Sequence, residues 1–131
     1  MSTQIRAAVI TVSDACARGE RKDESGEALV RLLTEIRAEI VVRKIVADDL
    51  QPLAETLKVH ADSSEVNLIV TTGGTGFGPR DNTPEATRMT IDREAPGLSE
   101  AMRAESLKHT PMGMISRGVS GIRSNCLIVN L

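Results

Sequence analysis

A run of small residues, Thr71-Thr72-Gly73-Gly74-Thr75-Gly76, is the part of this sequence best suited to chemistry. It follows a stretch of β-branched residues, so we expect it to form the turn at the carboxyl end of a strand. Glycines let backbone amides approach an anion closely, and a nearby helix N-terminus adds partial positive charge. The turn therefore predicts a site for a phosphorylated small molecule. A tight strand-exit turn without a ligand is the alternative, since neither a Walker loop nor a Gly-x-Gly-x-x-Gly fingerprint is present.

Two charged residues, Arg80 and Asp81, follow the glycine turn. Arg80 can pair with a phosphate through its planar guanidinium group. Asp81 offers the hard oxygen ligands that Mg²⁺ prefers. Each residue has a plainer interpretation of about equal weight: a solvated surface charge for Arg80, and a turn or cap residue near Thr83 for Asp81.

Asp48 and Asp49 follow another predicted strand, again at its carboxyl end. If that strand neighbours the one before the glycine turn, Asp48 faces the same crevice as Asp81. Two carboxylates beside a phosphate site are typical of metal-assisted transfer. The sequence from Asp48 to Gln51 also fits an acidic helix cap, and on the residues alone the cap is the favoured interpretation of Asp48.

Other polar residues fall at predicted strand ends or in the closing hairpin. Ser13 and Asp14 end the first strand, and Ser116 and Arg117 lie before the last two strands. Both pairs are candidates for binding a polar ligand, and both fit turns equally well. The two histidines, His60 and His109, lie near predicted helix ends, where a cation suits the helix dipole, so we interpret them as structural.

The elements that must position these residues follow a strand–helix–strand pattern. We expect helices over 25–39, from 48 onward, from Thr83-Pro84 and over 98–109. We expect strands over 6–12, 40–46, 66–72, 116–123 and 126–131. The early alternation favours parallel strands, and the last two strands favour an antiparallel hairpin around Ser124-Asn125. The sequence predicts one α/β domain over residues 1–131, a three-layer α/β/α fold with a mostly parallel, mixed sheet.

The composition argues against two classes of protein, those that bind nucleic acid and those that span a membrane. The 131 residues carry a net charge of −2 and one aromatic residue, Phe77, so a nucleic-acid partner is not expected. The apolar run near the N-terminus is too short for a membrane span. Cys16 and Cys126 show no metal or disulfide spacing, so we expect reduced thiols and a cytoplasmic protein.

Several ordered motifs together resemble the molybdopterin-binding family, which includes the molybdopterin adenylyltransferases and the gephyrin G domain. The matching segments, which span nearly the whole chain, are residues 10–14, 23–26, 46–49, 71–87, 96–103, 116–123 and 127–131. One departure is Ala47, which stands where the family usually has proline.

The resemblance implies that the protein joins molybdopterin to the adenylyl group of ATP and releases pyrophosphate. It implies Asp48 and Asp81 as catalytic, Mg²⁺-organising carboxylates. It also implies that the glycine turn with Ser116 and Arg117 holds pterin and phosphate, and that the protein is a homotrimer.

Two alternatives to the enzyme stay open. The family usually continues past its last strand with Pro-Gly-Ser-Pro-Lys/Arg and a helix, whereas this sequence stops at Leu131. Without that segment, a non-catalytic molybdopterin-binding or assembly module is an alternative. The related competence-damage domain is a third interpretation, against which Thr75 and Arg80 argue.

Overall fold

Six strands form one sheet in the computed structural model, which describes residues 4–131, and the central strands are the apolar, β-branched segments. The strands are β1 (Arg6–Val12), β2 (Glu39–Val46), β3 (Leu68–Thr72), β4 (Arg93–Glu94), β5 (Ser120–Arg123) and β6 (Cys126–Asn130). Their order across the sheet is β2-β1-β3-β6-β5-β4. The pairs β2–β1, β1–β3 and β3–β6 are parallel, and β6–β5 and β5–β4 are antiparallel. The predicted mixed, mostly parallel sheet is confirmed.

Five helices connect these strands and cover both faces of the sheet. They are α1 (Asp14–Ala17), α2 (Glu24–Glu35), α3 (Leu50–Asp62), α4 (Thr83–Thr90) and α5 (Pro96–Leu107). On one face, α3 and α4 pack with alternate residues of the central strands, including Ile10, Ile69 and Ile128. On the other face, the residue that caps α2 accepts a hydrogen bond from Thr11 of β1. Ser99 of α5 bonds Ser120 of β5 there, and the predicted three-layer α/β/α fold is confirmed.

Some predicted boundaries differ from the structure. The helix expected to reach residue 39 ends at Glu35, because Arg37 adopts a left-handed backbone (φ 64°) that stops it. Thr83 is the first residue of α4 and not its cap, which is Asn82. Strand β4 and a 3₁₀ turn at Pro111–Ile115 were not predicted, since elements this short carry no periodicity.

We expected Asp48 to face Asp81 on the condition that the strands leading to these residues are neighbours. The order of the central strands does not meet this condition. Strand β2 does not neighbour β3, because β1 lies between them. Their carboxyl ends are therefore two strand spacings apart, about 10 Å. Any contact between Asp48 and the residues after β3 must cross the end of β1.

His60, near the end of α3, has its Nε2 atom buried without a hydrogen-bond partner among the described residues. Burial lowers the pKa of its imidazole, and Lys44 on β2 lowers it further. The folded protein therefore disfavours the charged form of His60. The expectation that a cation there complements the helix dipole does not hold, although the residue is structural.

The lowered pKa of His60 predicts a pH-dependent stability. Below the unfolded value near 6.5, the unfolded chain binds a proton that the folded chain resists, so stability falls as pH drops from about 7 to about 5. His60→Gln should flatten this dependence, measured as the urea midpoint across that range. The control is His109→Gln, because His109 is exposed beside Glu105. Equal slopes for wild type and His60→Gln would contradict the assignment.

Candidate functional site

The glycine turn after β3 has a backbone that only glycine tolerates at two positions. Gly73 has φ 97°, and a β-carbon there would lie 2.2 Å from the Val12 carbonyl oxygen at the end of β1. Gly74 has φ 71°, and its β-carbon would lie 2.2 Å from the Thr83 hydroxyl oxygen at the start of α4. The turn is thus pressed between a strand end and a helix N-terminus, which leaves room for backbone but not for side chains.

Asp48 lies at the carboxyl end of β2 and is only 5% exposed. Its Oδ1 accepts a hydrogen bond from the backbone N–H of Asn82 at 3.0 Å. The Asn82 side-chain amide donates to the Asp48 carbonyl at 3.1 Å. The capping interpretation of Asp48 is therefore wrong: the N-cap of α3 is Asp49, which makes no side-chain cap bond. Asp48 instead contacts a segment 34 residues away.

Asp81 follows the glycine turn in the chain and packs against it, as Asp48 does from the end of β2. Its Oδ2 accepts from the Gly78 N–H at 2.7 Å and is 2.9 Å from the position that a β-carbon on Gly76 would take. The Oδ2 of Asp48 is 2.7 Å from the corresponding position on Gly74. Both carboxylates therefore lie against one turn, although β1 separates the strands that lead to them.

The carboxylates around the turn have opposite pKa shifts. Burial raises the pKa of Asp48, and the negative charges of Asp81 and Asp14 raise it further against the hydrogen bond from Asn82. Hydrogen bonds from Arg80 and from the Asp48 backbone lower the pKa of Asp14 to about 2. Of these two carboxylates, Asp48 is thus the one whose negative charge the folded protein stabilises less.

Arg80 bridges two carboxylates. Its Nε and Nη2 donate to the two oxygens of Asp14 at 2.7 and 3.0 Å, and Nη2 also donates to Asp49 at 2.9 Å. Ser13, the neighbour of Asp14, caps α1 by accepting from the Cys16 N–H. The predicted phosphate role of Arg80 stays a prediction, and its guanidinium is already engaged with protein groups.

Arg117 joins the glycine turn to α4. It donates from Nε to the Gly76 carbonyl at 2.8 Å and from Nη2 to the Asp81 carbonyl at 2.8 Å. Its Nη1 pairs with Glu85 of α4 at 2.7 Å. The backbone of Arg117 also donates to Thr75. Arg117 therefore fixes the shape of the turn, and its predicted role in holding pterin or phosphate stays a prediction.

Two cavities lie on either side of the turn. One, of about 280 Å³, opens at the ends of β1 and β3, where Ser13, Thr72 and Gly73 line it together with Arg21 and Lys22. The other, of about 370 Å³, lies between α5 and the end of β6. It is lined by Ser116 together with Ser99, Arg103, Ser106 and Asn130. The structure therefore divides the predicted binding residues between two cavities.

Several residues of the site were missed by the sequence reasoning. Asn82 holds Asp48, and Glu85 holds Arg117. Asn130, fully buried, donates to the hydroxyls of Thr71 and Thr87 and so ties α4 to the sheet. Asn82 and Glu85 belong to the same motif as Asp81, which is the one signal that pointed to them. Asn130 belongs likewise to the matching segment 127–131, but nothing in its local pattern indicates its contacts with Thr71 and Thr87.

Within residues 4–131, no group of three or more Asp, Glu, His or Cys side chains has metal-binding geometry. In the same part of the chain, no helix has both the length and the apolar character needed to cross a bilayer. Any divalent cation at the turn would therefore take part of its oxygen ligands from a substrate or from water.

A family model described as a probable molybdopterin binding domain matches residues 8–131. The chain belongs to this molybdopterin-binding family. The match runs from the middle of β1 to the residue after β6, so it contains every element around the turn. The resemblance inferred from the motifs is confirmed.

Known proteins agree with this assignment. Cinnamon, a molybdenum cofactor synthesis protein of Drosophila melanogaster, is 44% identical over 124 residues, which are 94% of this chain and 21% of cinnamon. The molybdopterin adenylyltransferase of Helicobacter pylori strain J99 is 39% identical over 129 residues, which are 97% of this chain and 73% of that protein. The chain thus spans about a fifth of the first relative and about three quarters of the second.

Solved structures show the same architecture. The molybdopterin biosynthesis enzyme MoaB from Thermus thermophilus superposes with a TM-score of 0.91 at 44% identity, covering 98% of this chain and 80% of that one. CinA from Thermoplasma acidophilum superposes with a TM-score of 0.73 at 20% identity, covering 99% and 89%. The likeness to CinA shows the fold alone.

The glycine turn predicts a sharp difference between two Gly→Ala variants. Gly74→Ala should destabilise the protein by at least about 2 kcal/mol, because alanine resists a positive φ and its methyl group would clash with Thr83. Gly97→Ala is the control: it has open space in the first turn of α5 and should stabilise by about 0.5–1 kcal/mol. Urea unfolding measures both, and equal stabilities would contradict the close approach.

The raised pKa of Asp48 predicts that its charge destabilises the unliganded fold. Asp48→Asn keeps an acceptor for the Asn82 N–H and removes the charge, so it should stabilise the protein at pH 7 by on the order of 1 kcal/mol. Since the folded pKa is raised, the penalty is absent below the unfolded value near 3.8 and grows as pH rises through the folded value.

Urea unfolding at pH 7 measures this effect. A second variant, for which a change in stability of opposite sign is expected, is the control. Asp62 is paired with Arg123, which lowers the pKa of its carboxyl group, so Asp62→Asn should lower stability slightly. A loss of stability in Asp48→Asn as well would show that the Asp48 charge does not destabilise the fold.

Proposed function

We propose that the chain binds molybdopterin and transfers to it the adenylyl group of ATP. A terminal phosphate oxygen of molybdopterin attacks the α-phosphorus of ATP, the bond between the α- and β-phosphates breaks, and pyrophosphate leaves. The observation that carries the proposal is the position of Asp48 and Asp81, both against the glycine turn, whose Gly73 lines a cavity at the ends of β1 and β3. Membership of the molybdopterin-binding family supports it.

The two carboxylates fit Mg²⁺. Among the described residues, Asp48 Oδ2 and Asp81 Oδ1 accept no hydrogen bond from the protein, so one oxygen of each carboxylate is available as a ligand. Mg²⁺ is commonly held by one or two carboxylates plus substrate phosphates and water. A bound Mg²⁺ would neutralise charge on the reacting phosphates. Its presence would also offset the burial and repulsion that raise the pKa of Asp48.

The protein's own groups orient the reactants. The left-handed backbone at Gly73 and Gly74 makes a concave turn whose peptide groups can approach phosphate oxygens closely. The N-terminus of α4, which follows directly, adds partial positive charge. Arg117 fixes this turn against Glu85, so the donors stay in place during the reaction.

The two cavities suit two different substrates. The cavity between α5 and β6 combines apolar surface, including Met102, with many polar side chains, Ser106 and Ser116 among them, as suits a flat heterocycle with polar edges. We assign the pterin to it. The cavity beside Ser13 and Thr72 has two basic residues, Arg21 and Lys22, next to the acidic Asp23 and Glu24, and it includes Gly73 of the turn, so we assign the nucleotide to it. The phosphates then meet at the glycine turn between them.

Pyrophosphate release from Mg-ATP in the presence of molybdopterin tests the proposal. Release that depends on both substrates supports the transferase. Molybdopterin binding without release would overturn it in favour of a binding or assembly module. The homotrimer and the cytoplasmic location that the resemblance implies stay predictions.

Asp81→Asn should lower pyrophosphate release by at least about 100-fold, because it keeps the shape of the side chain but removes the charge that Mg²⁺ requires, and metal-assisted charge stabilisation is worth several kcal/mol. The amide oxygen can still accept from Gly78, so the turn and the urea midpoint should be preserved.

Asp92→Asn is the matched control for Asp81→Asn. Asp92 also accepts a turn N–H, that of Ser124, but it lies in the loop between α4 and β4, away from the glycine turn. Release should stay at the wild-type rate in this variant. Wild-type release in Asp81→Asn would show that Asp81, like Asp92, is only a turn residue.

A further inference from the structure

Arg80 is the point at which three loops meet. It lies in the loop after β3, and its side chain reaches Asp14 after β1 and Asp49 after β2. The edge of the guanidinium formed by Nε and Nη2 pairs with both oxygens of Asp14, and Nη2 also bonds Asp49. A planar fork can make these three bonds at once, whereas a lysine ammonium on a flexible stem has no fork to match them.

The contacts of Arg80 lead directly to Asp48. Asp14 Oδ1, one of the two oxygens held by Arg80, accepts the backbone N–H of Asp48 at 2.9 Å. Asp49, the other partner of Arg80, is the next residue in the chain. Asn82, two residues after Arg80, bonds both the carboxylate and the carbonyl of Asp48. Residues 80–82 therefore hold Asp48 in three ways. Asn82 bonds its side chain and its carbonyl, and Arg80 holds its backbone N–H through Asp14.

Without Arg80, the carboxylates at the carboxyl ends of β1, β2 and β3 would repel one another. Asp14, Asp48, Asp49 and Asp81 bring four carboxylates to one edge of the sheet. Arg80 is the only cation in the described chain that hydrogen-bonds a side chain among these four. Arg18 faces Asp14 but pairs with Glu20, and Arg117 contacts only the backbone carbonyl of Asp81. Loss of the fork would leave these loops free to separate.

We propose that Arg80 is a positioning residue that fixes where Asp48 lies relative to Asp81, acting through Asp14 and Asp49. The kinetic consequence of this proposal rests on the proposed function, whereas its structural consequence does not. Direct binding of a phosphate by Arg80 is the competing role. It is disfavoured because the bidentate edge is occupied by Asp14, which leaves only Nη1 without a partner in the described chain.

The structural consequence is measured by amide hydrogen exchange on the full chain without substrates. Arg80→Lys keeps the charge and removes the fork, so exchange at the Asp48 and Asn82 N–H groups should accelerate on the order of 10-fold. Exchange at Ile69 and Val70 in β3 should not change. Arg88→Lys is the matched control, because Arg88 on α4 is equally exposed and is paired with Glu94 of β4.

The kinetic consequence separates positioning from phosphate binding. Arg80→Lys should lower kcat for pyrophosphate release by about 10–100-fold, the usual cost when a supporting residue of a metal site is lost, with the KM for ATP changed less than about 3-fold. Asp14→Asn should give the same change, and the double variant should be no worse than either single one, because both act on the same contact.

Each outcome decides the proposal. Unchanged exchange at Asp48 and Asn82 overturns it, whatever the kinetics. A raised KM for ATP with kcat unchanged, or full activity in Arg80→Lys, also overturns it and assigns Arg80 to phosphate or to simple charge. Accelerated exchange in a protein whose wild type releases no pyrophosphate supports the positioning role and overturns the proposed function instead.

Discussion

The hydrogen bond from the Asn82 N–H to the Asp48 carboxylate joins two segments that the sheet alone does not bring together. Strand β1 separates β2 from β3, so the residues after these strands begin about two strand spacings apart. The segment after the glycine turn crosses the end of β1 and meets Asp48 there. That crossing is possible because Gly73 presses against the Val12 carbonyl, at a distance no side chain would allow. The glycines thus allow the contact with the Asp48 carboxylate, in addition to any contact with a bound anion.

A buried carboxylate at this corner has a cost for the unliganded fold. Asp48 is 5% exposed, and the charges of Asp14 and Asp81 oppose its own. A chain under selection for stability alone would favour a neutral side chain there, since an amide makes the same bond to Asn82. Arg80 neutralises part of the surrounding charge through Asp14 and Asp49 but makes no contact with the Asp48 carboxylate. Among the described residues, the Asp48 carboxylate is therefore left without a cation hydrogen-bonded to it.

The parts of this fold that could be predicted are those governed by local pattern. Strand β1 matches its predicted range because the apolar run stops at Ser13-Asp14, and the hairpin matches around Ser124-Asn125. The end of α2 was missed because Arg37, a non-glycine residue, takes the left-handed backbone. The hydrogen bond between Asp48 and Asn82 was not predicted because the two residues are 34 positions apart, and local rules consider only the amides of the helix that follows Asp48. Asp48 and Asp81 both lie against the turn, although the condition stated for this, that β2 and β3 are neighbours, is not met.

The two cavities follow from the topology of the sheet. From β1 the chain continues to α2 on one face, whereas from β3 it continues to α4 on the other, so the loops after these neighbouring strands diverge. Such a divergence opens a crevice at the carboxyl ends of the strands, and the cavity beside Ser13 and Gly73 is that crevice. The second cavity needs β6, because it opens where the end of β6 meets α5. Since β6 pairs with β3 on the side opposite β1, the glycine turn lies between the cavities by construction. A reaction that joins two phosphorylated molecules needs that geometry, whereas the binding of one molecule does not.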